Sequence, residues 1–389
     1  MSARRVLVSG ASIAGPATAW WLARYGYDVT VVERAPELRG GGQAVDFKGT
    51  THRTVLERMG LWDAVHDRQT GRTDLQIVDD HDRVKAVIPG EFSGGDVEIL
   101  RGDLATLLYE RTKDSCRYLF GDHLTSLTET PDGVEATFAH HAPERYDLVI
   151  GADGVHSGVR RLAFGPKRDY VRHLGYYYAV VGGSPVRPGG TEPGRAVGSL
   201  YNEPGRMITD GGSKAPQLYV FASPLLDYDR SDIHVQKGIL TDAFRGAGWR
   251  TPRLLARLPD QLDFYLDSIS KVVTDRYTTG RFALVGDAAY ANTLGGFGTG
   301  LALVGGYVLA GELASAGGDH RAAFDRYTSI MYRYAKIARK GNAGPFLAPA
   351  SKLKIRMRDL TFANRFLLGL MMKLTDDFAN NIDLPRYPD

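Results

Sequence analysis

The 389-residue chain holds a single cysteine, Cys116. That excludes an intramolecular disulfide and any metal site built from a cysteine cluster. Its histidines form no metal-ligand spacing. His140-His141 is an isolated pair expected in a turn, so no metal is expected. Long apolar runs are also missing. The most apolar C-terminal stretch, 366–372, falls far short of the roughly 20 residues that span a bilayer. Residues 6–8 form a short apolar run before a glycine turn, unlike a secretory leader. Excess charge of one sign is lacking as well, because 48 Lys and Arg face 45 Asp and Glu for a net +3. Nothing in that balance calls for nucleic acid. The expectation is a soluble cytoplasmic protein, monomer or homodimer, with no nucleic-acid or membrane partner. Its length allows two or three domains. No Ser, Cys or His constellation reads as a covalent nucleophile, so a bound cofactor is expected to do the chemistry.

Glycine, by contrast, is plentiful, with 46 residues, and three glycine-marked stretches organise the chain. In the first, residues 5–9 read as a buried parallel strand ending at Gly10. Residues 14–25 have helical spacing and stop at Gly26. Residues 28–33 form a second buried strand ending in Glu33. This βαβ unit carries Gly10-Ala11-Ser12-Ile13-Ala14-Gly15, a GxGxxG pattern with Ser12 in the middle glycine position. Gly10 allows the tight turn, Gly15 lets the helix approach the sheet, and the helix N-terminus offers N–H groups to a pyrophosphate. Glu33 is positioned to accept ribose hydroxyls and to repel a 2′-phosphate. FAD and NAD both remain allowed by this segment.

The second stretch, 147–160, is a buried run at 146–152 leading to Asp153-Gly154, then Ser157 and Arg160. Residues 134–138 before it alternate like an antiparallel strand. The third, 280–300, is a strand at 281–286 ending at Asp287, a turn (Gly295-Gly296-Phe297-Gly298-Thr299-Gly300) and a helix at 301–314. A strand-end aspartate accepts sugar or ribityl hydroxyls, and a second helix N-terminus holds further negative charge.

On these residues the chain resembles the class A flavoprotein monooxygenases of the aromatic hydroxylase type. The stretches 41–46, 98–104 and 301–313 make it most similar to tetracycline-inactivating flavin monooxygenases and actinomycete polyketide-tailoring oxygenases. The resemblance implies non-covalently bound FAD, NADPH or NADH as transient reductant, and O2 as co-substrate. It implies adenosine contacts from Glu33 and Arg34, with Gly10, Ser12, Ile13, Ala14 and Gly15 at the pyrophosphate. Arg101 would contact the FAD backbone, and Gln43 and Asp46 would sit near the isoalloxazine. Asp153 and Gly154 would serve both FAD and the nicotinamide. Asp287 would bind the ribityl or pyrophosphate region, and Gly298, Thr299 and Gly300 would lie under the flavin's polar edge. One departure concerns the chemistry. Relatives carry a proline a few residues before the last G-x-G, where oxygen adds, and 291–297 has none.

Between Arg160 and Thr274 the texture changes. Runs at 175–181, 196–201, 217–222 and 264–273, separated by Gly and Pro clusters such as 185–194, read as antiparallel strands. Residues 239–258 read as a helix broken near 246–248. Tyr176, Tyr178, Met207, Phe221 and Phe297 are the candidate substrate contacts. Residues 321–340 and 352–378 read as C-terminal helices, the second amphipathic, with a membrane-surface role as the rival to bracing the domains.

The expected fold is α/β: a Rossmann-like, three-layer FAD domain (1–72, 97–165 and 275–320) with an inserted antiparallel-sheet substrate domain (73–96 and 166–274) and C-terminal helices (321–389). The expected function is oxygenation of a polycyclic phenolic small molecule. The alternatives are an FAD-dependent dehydrogenase or cyclase, and a non-catalytic flavin-binding protein.

Overall fold

Val6, Leu7 and Val8 are completely buried, and so are Val31, Val149 and Ile150. Strands this apolar on both faces belong at the centre of a parallel sheet covered on both sides. The computed structural model describes residues 3–38, 40, 42–182, 195–212, 215–336, 341–364, 367–369 and 383–388. In it these strands form a six-stranded sheet. Its order is Thr278–Thr279, Phe282–Leu284, Leu148–Gly151, Arg5–Ser9, Asp28–Glu33 and Arg117–Phe120. All neighbours run parallel except the first pair. The helices Ala14–Arg24 and Gly298–Ser315 pack against each other. The second is almost wholly buried, as its residues Leu301 to Leu313, nearly all apolar, demand.

The run at 146–152 divides between two sheets. Glu144–Tyr146 closes a three-stranded antiparallel sheet with Gly133–Phe138 and Leu124–Thr130, while Leu148–Gly151 enters the parallel sheet. Asp147 sits at the division, where its carboxylate accepts the Arg5 N–H at 2.7 Å. His140 and His141 are part of a loop staple. Buried Asp122 accepts the N–H groups of His123, Ala139, His140 and His141, and the His141 ring at 2.6 Å.

The second large sheet has seven strands in the order Phe264–Val272, Val171–Val181, Gln217–Ala222, Arg206–Asp210, Arg195–Glu203, Arg72–Val78 and Val84–Ile88. It is mixed, not purely antiparallel, because Arg72–Val78 arrives from a distant part of the chain and runs parallel to Arg195–Glu203. The region 239–258 is two helices, Ile233–Ala243 and Thr251–Ala256. The first starts early because Asp232 caps it, accepting the N–H groups of His234 and Val235. The glycine-rich helix likewise begins at Gly298, so Gly298, Thr299 and Gly300 are its first turn. His320–Tyr334 and Lys352–Ala363 are the C-terminal helices. Residues 367–369 are also helical. The remainder of the run expected to 378, together with 337–340, 185–194 and Gly41, lies outside the described residues.

Candidate functional site

The three glycine stretches meet at the carboxyl ends of adjacent parallel strands, where open α/β sheets bind their ligands. Backbone contact holds them there. Gly10 has φ +107°, and a Cβ on it would lie 2.6 Å from the carbonyl oxygen of Ala152. A Cβ on Gly15 would lie 1.8 Å from the Gly10 carbonyl oxygen, and one on Gly286 2.9 Å from the Ala14 Cβ. Buried Arg160 ties the second stretch to the third, donating to the carbonyls of Val155 at 2.5 Å and Ala288 at 2.7 Å.

Two helices, Ala14–Arg24 and Gly298–Ser315, start at this convergence. Neither has a side-chain N-cap or an acidic residue in its first turn. Their first N–H groups are therefore kept from the usual carboxylate and present positive dipole ends to an anion. Glu33 is fixed at the end of its strand, accepting the Ala11 N–H at 2.8 Å and the Ala35 N–H at 2.9 Å. A carboxylate has lone pairs beyond those two for a further donor. Arg34 beside it is exposed. Ser12 has a visible use in place of glycine, since its Oγ accepts from the Arg101 guanidinium at 3.0 and 3.3 Å. Arg101 is thus held at the first helix's N-terminus, and its own N–H donates to the Gln43 carbonyl at 3.2 Å. Ser12→Ala is expected to weaken FAD affinity roughly 3- to 10-fold by freeing Arg101, the scale of a hydrogen bond to a charged group. Titration of the apoprotein with FAD measures this, and an unchanged Kd would refute the coupling.

Asp153 caps the turn after its strand, accepting the Gly158 N–H at 2.8 Å and the Val159 N–H at 3.1 Å. Burial raises its pKa. Asp287 is different in kind. Its side chain is solvent-exposed, yet surrounding protein also raises its pKa, a combination that a concave cleft produces. Gly298 borders it, because a Cβ there would lie 3.5 Å from Asp287 Oδ1. Asp46 lies on Ala44–Phe47, a strand packed against the glycine-rich helix. Phe297 is the residue before that helix and packs on the core of the parallel sheet.

Gly300 has a cause that the motif conceals. A Cβ on it would sit 2.2 Å from the ring of His52, a buried residue of the helix Thr50–Arg58. Burial lowers the His52 pKa to about 4, so the imidazole is neutral at pH 7. Gly300→Ala is expected to lose bound FAD and melt several degrees lower. Adding His52→Ala is expected to recover much of both, a non-additivity read by a double-mutant cycle.

The turn without proline is shaped by Leu294, which has φ +59°. A bulky side chain in that region costs roughly 1–2 kcal/mol. Leu294 packs against the cluster on one face of the seven-stranded sheet. That face carries Tyr176, Tyr178 and Met207, which alternate with residues of the opposite face. Phe221 does not join them. It lies directly across from Tyr177, stacks on it with centroids 5.7 Å apart, and is buried under the helix Ile233–Ala243 and its C-cap Phe244.

Sequence reasoning missed a further group on the first face. Asp267, buried in Phe264–Val272, accepts from both Arg230 Nη atoms at 2.9 and 3.0 Å, from His156 Nε2 at 3.0 Å and from the Tyr265 hydroxyl at 2.9 Å. Desolvation would raise its pKa, but the His156 and Arg230 contacts hold it well below the usual carboxylate range. The signal was present in the sequence: an aspartate inside an otherwise strand-like run. Desolvation by surrounding protein raises the pKa values of Asp287, Tyr178 and Tyr265, and the Arg101 charge pulls each part of the way back. Arg101 therefore lies within electrostatic reach of the third stretch and of the overlying sheet. The turns at the end of the parallel sheet and the Tyr178 face of the overlying sheet thus lie in one neighbourhood, joined by Leu294.

A family model for an FAD binding domain matches residues 3–169. A flavin-dependent monooxygenase of Legionella longbeachae is 34% identical over 98% of this chain and 98% of its own length. The chain belongs to the flavin-dependent monooxygenases. An uncharacterised Mycobacterium tuberculosis protein is 40% identical over 86% of this chain and 91% of its own. The crystal structure of the tetracycline destructase Tet(51) matches with a TM-score of 0.82 at 31% identity, covering 99% of this chain and all of that one.

This monooxygenase is an FAD-dependent oxidoreductase, and its residues fit the cofactor. Glycine-only approach at Gly10 and Gly15, two uncapped helix N-termini and the held Glu33 carboxylate together suit a dinucleotide. None of the described helices is long and apolar enough to cross a membrane.

Proposed function

We propose that this monooxygenase uses NADPH or NADH and O2 to oxygenate a flat polycyclic phenol or enol of the tetracycline or aromatic polyketide type. The observation that carries this reading is the meeting of the Asp287–Gly298 turn with the tyrosine-bearing sheet face, where Leu294 of that turn packs against the Tyr176–Tyr178 cluster. The full-length likeness to a tetracycline destructase supports it. FAD, when bound, supplies hydride acceptance from the nicotinamide and activation of oxygen.

The chain's own residues would divide the work as follows. Gly10, Ser12, Ile13, Ala14, Gly15, Glu33 and Arg34 hold the adenosine diphosphate. Arg101, Asp153, Gly154 and Asp287 hold the middle of FAD. Gln43, Asp46, Gly298, Thr299 and Gly300 surround the ring system, with the helix dipole of Gly298–Ser315 favouring negative charge at its edge. Tyr176 and Tyr178 present aromatic edges to the substrate, and Leu294 bounds it from the turn. Exposed Arg161, Lys167, Arg168 and Arg172 follow the Asp153-Gly154 turn and make a cationic rim suited to the reductant's phosphates.

Incubation with tetracycline, NADPH and isotopically labelled O2 tests this. The expected product gains one labelled oxygen atom, with NADPH consumption stimulated by substrate. Turnover that persists without oxygen would instead establish a dehydrogenase or cyclase, the reading that the proline-free turn favours.

A further inference from the structure

The helix Lys352–Ala363 has two unlike faces. Its inner face is anchored. Phe362 is buried, with its ring 5.2 Å from that of Phe92 and 6.0 Å from that of Phe346. Arg358 donates to Asn202 Oδ1 at 2.8 Å and to Asp359 Oδ1 at 2.7 Å, both members of that pair being largely shielded from solvent. Its outer face is apolar and, among the described residues, uncovered. Leu353 is 67% exposed, Met357 61% and Leu360 66%. At about 100° per residue these three fall within roughly 60° of one another, in a single stripe. Lys352, Lys354 and Arg356 are exposed and flank that stripe on both sides. Asp359, the helix's one acidic residue, is turned inward to Arg358.

We propose that this face docks on an anionic lipid bilayer surface. Apolar side chains in a row, flanked by cations with no exposed anion among them, match the layering of acyl chains beneath acidic headgroups. The charges argue against self-association. Pairing the same face of two copies about a twofold axis would set three cations of each against three of the other. The inner face of this helix packs on the cluster that contains Tyr176, Tyr178 and Met207. Docking would therefore bring the tyrosine-bearing sheet face near the bilayer, where flat apolar molecules partition. That last consequence rests on the proposed substrate class, whereas the docking itself does not.

Co-sedimentation of the FAD-loaded protein with vesicles, without substrate, separates the two. The expected result is binding to equal parts phosphatidylglycerol and phosphatidylcholine, reduced more than about tenfold on phosphatidylcholine alone or in high salt. A variant combining Leu353→Glu and Met357→Glu should lose binding while keeping its FAD content and Tm, because both side chains are exposed. Protein that stays in solution with the anionic vesicles would overturn the proposal. So would a wild-type dimer in sedimentation velocity that the variant abolishes, or vesicle binding that the variant retains.

Discussion

Gly10→Ala is expected to yield a protein without bound flavin and with markedly reduced stability. Two costs add at this position. The backbone sits at φ +107°, a region costing a side chain roughly 1–2 kcal/mol. The added Cβ would also lie 2.6 Å from the Ala152 carbonyl oxygen and 2.9 Å from its carbon. Those are main-chain atoms of a neighbouring strand end, so no side-chain rotation relieves the overlap. Separating the first stretch from the second would also move the N-terminus of Ala14–Arg24, because Gly15 is in contact with Gly10. We expect a loss of about 3–5 kcal/mol, the upper range for single substitutions. Flavin absorbance of the purified protein and a thermal melt measure the two effects. Normal flavin content with an unchanged Tm would mean that this turn is not the close contact described.

Asp267→Asn is expected to destabilise the protein by about 3 kcal/mol, at the low end of the range for breaking a buried ion pair because Arg230 reaches solvent. It leaves Arg230 without its bidentate acceptor and His156 without its carboxylate. The pH dependence has a definite sign. The folded Asp267 has a depressed pKa, so its contribution is complete above the unfolded value of about 3.9 and disappears as pH falls toward the folded value. His156 is lowered by burial, against the pull of Asp267. Below about pH 6.5 the unfolded chain accepts a proton that the folded chain resists, so stability already declines there. Both effects weaken the protein on acidification. In the variant the step below about pH 3.9 should shrink to what the other depressed carboxylates, such as Asp122, contribute. The decline below pH 6.5 should deepen, because His156 loses the carboxylate that had raised its pKa. Urea denaturation across that pH range is the measurement. A variant with the wild-type midpoint at every pH would assign Asp267 no such role.

How much of this was legible beforehand depends on how local each determinant is. The βαβ unit was readable because strand, glycine turn, helix and Glu33 lie within one continuous segment, each with its own short-range signal. The seven-stranded sheet was less so. Its parallel neighbour Arg72–Val78 is more than a hundred residues before its partner Arg195–Glu203, and no local pattern states that pairing. The division at Asp147 was hidden because Tyr146, the buried end of Glu144–Tyr146, reads as the start of the apolar run Leu148–Gly151, and burial in two different sheets looks the same in one dimension. Phe221 shows the limit for side chains. Aromatic character named it, but the face on which it lies depends on registry with Tyr177 across the sheet.

By itself, then, the sequence determined the dinucleotide fold, the three stretches that build its ligand end, and membership of a flavin-using class. Those follow from the backbone freedom of glycine, the orientation of helix dipoles and carboxylates at strand ends, which act over a few residues. Only the tertiary structure decided that Ser12 holds Arg101, that Gly300 makes room for His52, that Asp267 gathers Arg230 and His156, and that Tyr178 but not Phe221 lies on the sheet face that meets Leu294. Each joins residues from separate parts of the chain, and a contact made by packing has no signature until the two surfaces meet.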